Sequence, residues 1–152
     1  VSESPSESAS ESPSPSEGYE EYTRGNYAGL PADTTNLETD YIVQDYLDVD
    51  TLNGVRVDQD AEDEYAIHQY KDFIGASGAA TFTAVGRSNI ALSDSTAFLE
   101  IYNFDTDVWD QIDSDNTTAA NTNFTLTAEV ADITNYKDPS NVAVCRVYQL
   151  AQ

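Results

Sequence analysis

From Thr39 onward the chain alternates apolar and polar positions with a period of two. Tyr41, Val43, Asp45, Leu47 and Val49 set against Ile42, Gln44, Tyr46 and Asp48 predict a strand with one partly apolar face. The turn dipeptide Asn53-Gly54 leads into Val55 and Val57. Tyr65, Ile67 and Gln69 then alternate with Ala66, His68 and Tyr70 as far as Phe73, and Ala80, Phe82 and Ala84 form a stripe before Gly86. Leu99 and Ile101 oppose Phe98, Glu100 and Tyr102; Asp105-Thr106-Asp107 turns the chain into Val108, Trp109 and Ile112. Phe124, Leu126, Ala128 and Val130 make the next stripe, and Val142, Val144, Arg146 and Tyr148 against Ala143, Cys145 and Val147 make the last. No stretch sustains helical periodicity. About eight strands separated by Asp-, Asn-, Ser-, Thr- and Gly-rich loops predict an all-β fold, a single antiparallel β-sandwich. Uneven loops and the missing Cys-Trp-Cys signature favour a jelly-roll-like order over an immunoglobulin one.

The N-terminal portion follows another rule. Residues 1–17 place serine at every even position and read as tetrapeptides, Ser-Glu-Ser-Pro, Ser-Glu-Ser-Ala, Ser-Glu-Ser-Pro and Ser-Pro-Ser-Glu. With no large apolar side chain beyond Val1, this segment cannot offset its own ordering entropy, and its prolines favour polyproline II at a reach of roughly 50 Å. It is expected to be an extended arm. Residues 18–38 set Tyr19, Tyr22 and Tyr27 among Gly18, Gly25, Gly29 and Pro31 and read as a connecting segment. Those rings either pack on the chain's own domain or dock on a partner, where aromatics are enriched. The sandwich is assigned to residues 39–152.

Composition narrows the function classes. Six Lys and Arg against twenty-eight Asp and Glu give a net charge of −22, which repels phosphate backbones and anionic headgroups, so no nucleic-acid partner is expected. No apolar run reaches the ~18 residues that span a bilayer as a helix, so no membrane insertion is expected. The chain begins at Val1, which fits a processed, extracellular or cell-surface product. One cysteine, Cys145, excludes an intramolecular disulfide, and its place in an apolar strand predicts a buried, inert thiol.

Phe98-Leu99-Glu100-Ile101-Tyr102-Asn103, Trp109-Asp110-Gln111-Ile112-Asp113-Ser114-Asp115, Phe124-Thr125-Leu126 and Val144-Cys145-Arg146-Val147-Tyr148 form a pattern that resembles secreted bacterial jelly-roll surface domains. These are similar to galactose-binding-like and carbohydrate-binding modules carried on Ser/Pro-rich linkers. The resemblance covers roughly residues 39–150 and implies a β-sandwich that serves in sugar binding, adhesion or scaffolding, often with a structural calcium.

Asp58, Asp60, Glu62 and Glu64 recur at every second residue; in a strand they would share one face and suit a hard, oxygen-liganded cation, while the alternative is a solvated loop. Asp105–Asp107 and Asp113–Asn116 are shorter versions. His68 is the sole histidine, which precludes a His-based metal triad and points to an ordinary sheet residue. Neither a Gly-x-Ser-x-Gly elbow nor a Gly-rich phosphate loop occurs, and the chain is not expected to be an enzyme. Trp109 with Tyr102 and Tyr148 packs the core or forms a sugar-stacking platform. Glycan attachment is expected on the arm serines Ser2, Ser4, Ser6, Ser8, Ser10, Ser12, Ser14 and Ser16, with Asn116-Thr117-Thr118 as an N-linked acceptor and Asn123-Phe124-Thr125 a second one at a strand start. The expected function is a structural subunit of an extracellular filament or surface assembly, a homopolymer joined by the arm and by an exchanged segment holding Tyr19, Tyr22, Tyr27, Tyr41 and Val43. The alternative is a carbohydrate-binding or adhesive module.

Overall fold

The computed structural model describes residues 15–151. The fold is nearly all β and consistent with a β-sandwich. Eight strands run in chain order: β1 (Glu20–Tyr27), β2 (Thr39–Asp40), β3 (Tyr65–Phe73), β4 (Ala80–Arg87), β5 (Ala97–Asn103), β6 (Val108–Asp115), β7 (Asn123–Val130) and β8 (Val142–Leu150). A short helix α1 (Val43–Val49) follows β2, and a 3₁₀ turn (Thr134–Tyr136) precedes β8. The large sheet has the order β2-β1-β3-β8-β5-β6, and β4-β7 forms the small one. All pairings are antiparallel, and after β3 the chain crosses repeatedly between the two layers.

Alternation fixes what each layer buries. Leu99 and Ile101 of β5, Cys145 of β8, and Phe124 and Leu126 of β7 meet in the main core, joined by Leu92, Ala97 and Ile133, with Phe82 packed alongside. The opposite face of the large sheet is also covered: Leu37, Ile67 and Tyr148 form a second cluster with Tyr27, Leu30, Tyr65 and Phe98 beneath the chain between β1 and β2. A third, aromatic group lies on the core-side face of β1 and β3. There Tyr22 contacts Tyr41, Tyr46 and Tyr70 at ring-centroid distances of 5.7, 5.2 and 5.0 Å.

Three expectations need correction. The expected strand over 41–49 is helical across Val43–Val49: the Ile42 N–H donates to Asp45 Oδ2 at 3.0 Å, and Tyr46 turns inward against the Tyr22 ring, its hydroxyl accepting from the Tyr22 N–H at 2.8 Å. Val55 and Val57 lie outside any strand. Conversely, residues 18–38 are more than a connector, because β1 pairs with β3 along its whole length, from Glu20↔Asp72 to Tyr27↔Tyr65. The folded unit therefore begins near Glu20, and the arm is confined to what precedes it. No helix among the described residues is long and apolar enough to cross a membrane.

Candidate assembly surface

The small sheet is built from the two longest uncharged parts of the chain, residues 73–86 and 116–128. In β4, Ala80, Phe82, Ala84 and Gly86 turn toward the core, whereas Thr81, Thr83, Val85 and Arg87 face solvent. Gly86 is required by packing: a Cβ there would stand 2.4 Å from Cζ of Phe124. The register runs without a shift from Ala80↔Val130 to Arg87↔Asn123, and Thr83 and Thr127 share a hydroxyl hydrogen bond of 2.9 Å.

Among the described residues, β7 is the only strand hydrogen-bonded to β4. In an antiparallel pair alternate residues direct both N–H and C=O away from the partner, so the far side of β4 presents a row of open backbone groups. The other sheet margins are blunted. β2 is two residues long. β6 carries Asp110, Asp113 and Asp115 and pairs with β5 across a register shift. The outer side of β7 lies against β6, where Asp113 Oδ2 accepts from the Thr127 N–H at 2.7 Å. β4 has neither proline nor bulge, and its one charge, Arg87, stands at its end.

The assembly residues expected from sequence separate into two groups. Tyr22 and Tyr41 are spent inside the molecule: the Tyr22 hydroxyl donates to Asp72 Oδ1 at 2.7 Å, and Tyr41 Oη lies 2.6 Å from His68 Nδ1. Burial raises both phenol pKa values. Tyr27 packs on the second cluster, its hydroxyl accepting from the Glu38 N–H at 2.9 Å. Tyr19 donates to Glu21, and partial burial together with that carboxylate pushes its phenol up to about 12. Val43 alone is left open, 80% exposed on α1 beside Ile42 and Leu47.

Tyr102, Trp109 and Tyr148 lie on one face of the large sheet, opposite the main core, with Tyr148 packed on Tyr65 and Phe98 and not on the other two rings. Trp109 and Tyr102 meet edge to face at 5.2 Å. The ring of Trp109 is covered by the Arg146 guanidinium, 4.1 Å from its centroid, and Tyr102 and Tyr148 are both buried. Trp109 is thus part of neither hydrophobic core cluster. Asp58, Asp60 and Glu62 lie in irregular backbone and Glu64 accepts from Asn26, so the shared strand face expected for them does not form. Among the described residues no three His, Cys, Asp or Glu side chains converge on a metal-sized site.

Asn116 is exposed in the turn after β6, where the Asp115 carboxylate accepts from the N–H groups of Thr117 and Thr118 and from both hydroxyls, which holds it down at about 2. Asn123 accepts from Arg56 at 2.6 Å. Ser16 is exposed; Ser2, Ser4, Ser6, Ser8, Ser10, Ser12 and Ser14 lie outside the described residues. Comparison with family models, curated proteins and solved structures finds no match to this chain.

Sequence reasoning identified β4 as a strand and passed over its place at a sheet edge. The signal was the charge-free run 73–86 in a chain where about one residue in five is charged. That it becomes an edge depends on β4 and β7 separating from the large sheet, which only the topology states.

Proposed function

We propose that the protein is a structural subunit that assembles with copies of itself, in an extracellular filament or surface layer, by strand addition at β4. The observation that carries this reading is the unbulged edge of β4, free of charge from Ala80 to Gly86 and ending on Arg87, in a chain of net charge −22. An added strand gains main-chain hydrogen bonds of about 0.5–1.5 kcal/mol each net, enough in sum to hold a subunit. The charge explains why this sheet is the place: elsewhere two copies meet carboxylate against carboxylate, whereas the β4–β7 layer brings little charge to the contact.

The arm is the segment suited to be donated. It precedes β1, so it can leave the domain without removing a strand, and a head-to-tail contact of this kind propagates into an open fibre unless it closes. The sugar-platform alternative gains less support, because Arg146 occupies the ring face that a sugar would stack upon.

Negative-stain microscopy and sedimentation of the full chain test the reading. Fibres or ordered arrays are expected for the wild type, and dispersed monomers for the double variant Thr81→Lys/Val85→Lys, whose added charges sit on exposed positions of the edge strand. Deleting residues 1–17 leaves β1 intact and is expected to give a folded monomer. Fibres of unchanged yield from either variant would sink the proposal.

A further inference from the structure

The end of the β4 edge opens into a polar cavity of about 360 Å³ lined by Gly54, Arg56, Asp58, Arg87, Ser88 and Asn121, among others. Two of the chain's six cationic side chains meet there. Arg56 is fixed: its Nη1 donates to the Gly54 carbonyl at 2.9 Å and its Nη2 to Asn123 Oδ1 at 2.6 Å. Arg87 is exposed, and among the described residues its guanidinium has no hydrogen-bond or ion-pair partner. The backbone around the cavity is shaped by left-handed turns at Gly54 (φ 87°) and Asn121 (φ 59°), the latter donating its N–H to the Ser88 carbonyl at 2.7 Å. Asp58 is the one acid among the lining residues, so two guanidinium groups against one carboxylate leave this spot locally positive on a strongly acidic protein.

The arm offers the complementary charge. Three of its four acids recur at a period of four, Glu3, Glu7 and Glu11, and between Pro5 and Pro13 it runs from Ser6 to Ser12 without the proline that would interrupt a ladder. Glu7 and Glu11 fall on one face of such a strand and the serines on the other. A strand this polar and repetitive has no hydrophobic pattern to set its register, so something at the end of β4 must do so. A guanidinium that can grip a carboxylate by two parallel hydrogen bonds is suited to that task.

We infer that the cavity at Arg87 is a carboxylate-binding site that receives Glu7 or Glu11 from the arm of a neighbouring copy laid along β4, and thereby fixes the register of the added strand. The inference rests on the assembly reading above and assigns the arm, rather than another segment of the second copy, as the occupant.

The test uses the full-length chain. Arg87→Gln is expected to raise the critical concentration for assembly about tenfold, the loss of one charge-assisted contact. Arg87→Glu is expected to abolish assembly, and adding Glu7→Lys and Glu11→Lys to Arg87→Glu to restore it. Thermal melts of the dilute variants within a few degrees of wild type exclude misfolding as the cause. In parallel, a synthetic heptapeptide of residues 6–12 is titrated into the dilute chain while the Arg87 side-chain resonance is followed. Binding at least fivefold weaker for the peptide with both glutamates replaced by glutamine supports the site. Wild-type assembly with an Arg87→Gln critical concentration within twofold overturns the carboxylate site and leaves the assembly reading standing. A wild type that never assembles while the peptide binds through its glutamates overturns the assembly reading and keeps the site. An Arg87 resonance that moves in the dilute monomer when its own Glu7 and Glu11 are replaced places the arm on its own domain and overturns the proposal of a neighbouring copy.

Discussion

Arg146 and Glu100 form a buried ion pair across β8 and β5, with Nη2 2.6 Å and Nε 2.7 Å from the same carboxylate oxygen, Oε2. The pair is fully engaged. Oε1 accepts from the Tyr148 hydroxyl at 2.8 Å, Nη1 donates to the Pro31 carbonyl at 2.6 Å, and the guanidinium plane rests on Trp109. This network ties the chain between β1 and β2 onto the outer face of the large sheet. It also places the Arg146 guanidinium over the Trp109 ring and 5.4 Å from the Tyr148 ring centroid.

Removing one partner leaves the other charged and buried. Glu100→Gln or Arg146→Met is expected to cost about 3–5 kcal/mol of stability in urea denaturation. The double replacement Glu100→Leu/Arg146→Met is expected to recover part of that loss, though not all, because Tyr148 and Pro31 lose their partners. Additive single-mutant effects would show that the pair is uncoupled.

His68 gives a pH dependence. Its ring lies against Tyr41 and Tyr70, and burial, with Arg24 nearby, lowers its pKa to about 4; Asp45 opposes the shift weakly. The unfolded chain therefore binds a proton before the folded one does. This residue leaves stability unchanged above about pH 6.5 and lowers it as the pH falls from there to about 4, by on the order of 2–3 kcal/mol. His68→Gln is expected to remove that part of the slope, measured as the difference between the two proteins' stability profiles. Asp72, whose carboxyl is raised by burial, works in the opposite direction near the bottom of the window and is common to both proteins.

Cys145 is buried in the main core, and desolvation raises its thiol pKa well above the usual range. A maleimide reagent at neutral pH is expected to leave the native chain unmodified for hours and to add once per chain in denaturant, read by intact mass. Rapid native labelling would show that the sandwich opens there.

Gly86→Ala places a methyl group into the Phe124 ring. A loss of about 1–3 kcal/mol is expected in thermal or urea unfolding, whereas Thr81→Lys on the same strand is expected to stay within about 0.5 kcal/mol of wild type while blocking assembly. The contrast separates what β4 does for the core from what its edge does for a partner.

Period-two patterning was sufficient for β3 and for every strand from β4 to β8, because each of these has a face that must be apolar to meet a core and the sequence records that demand directly. It failed at β1, where Tyr22 and Arg24 point to one covered face and Thr23 and Gly25 to the other; a strand buried among tyrosines on one side and loop backbone on the other has no clean alternation to show. It failed again at residues 43–49. There the spacing of Ile42 to Tyr46 and Val43 to Leu47 fits a helix as well as a strand, and Tyr46 docking on Tyr22 decides between them.

By itself, then, the sequence determined the all-β class, six of the eight strands, the acidic repeat composition of residues 1–17 and the burial of the single cysteine, all consequences of local pattern and composition. Only the tertiary structure decided which strand is left at an edge, that Arg146 covers Trp109, and that Arg56 and Arg87 meet at the end of β4. Those relationships join residues distant along the chain, and they follow from the order in which strands pair, which no local pattern encodes.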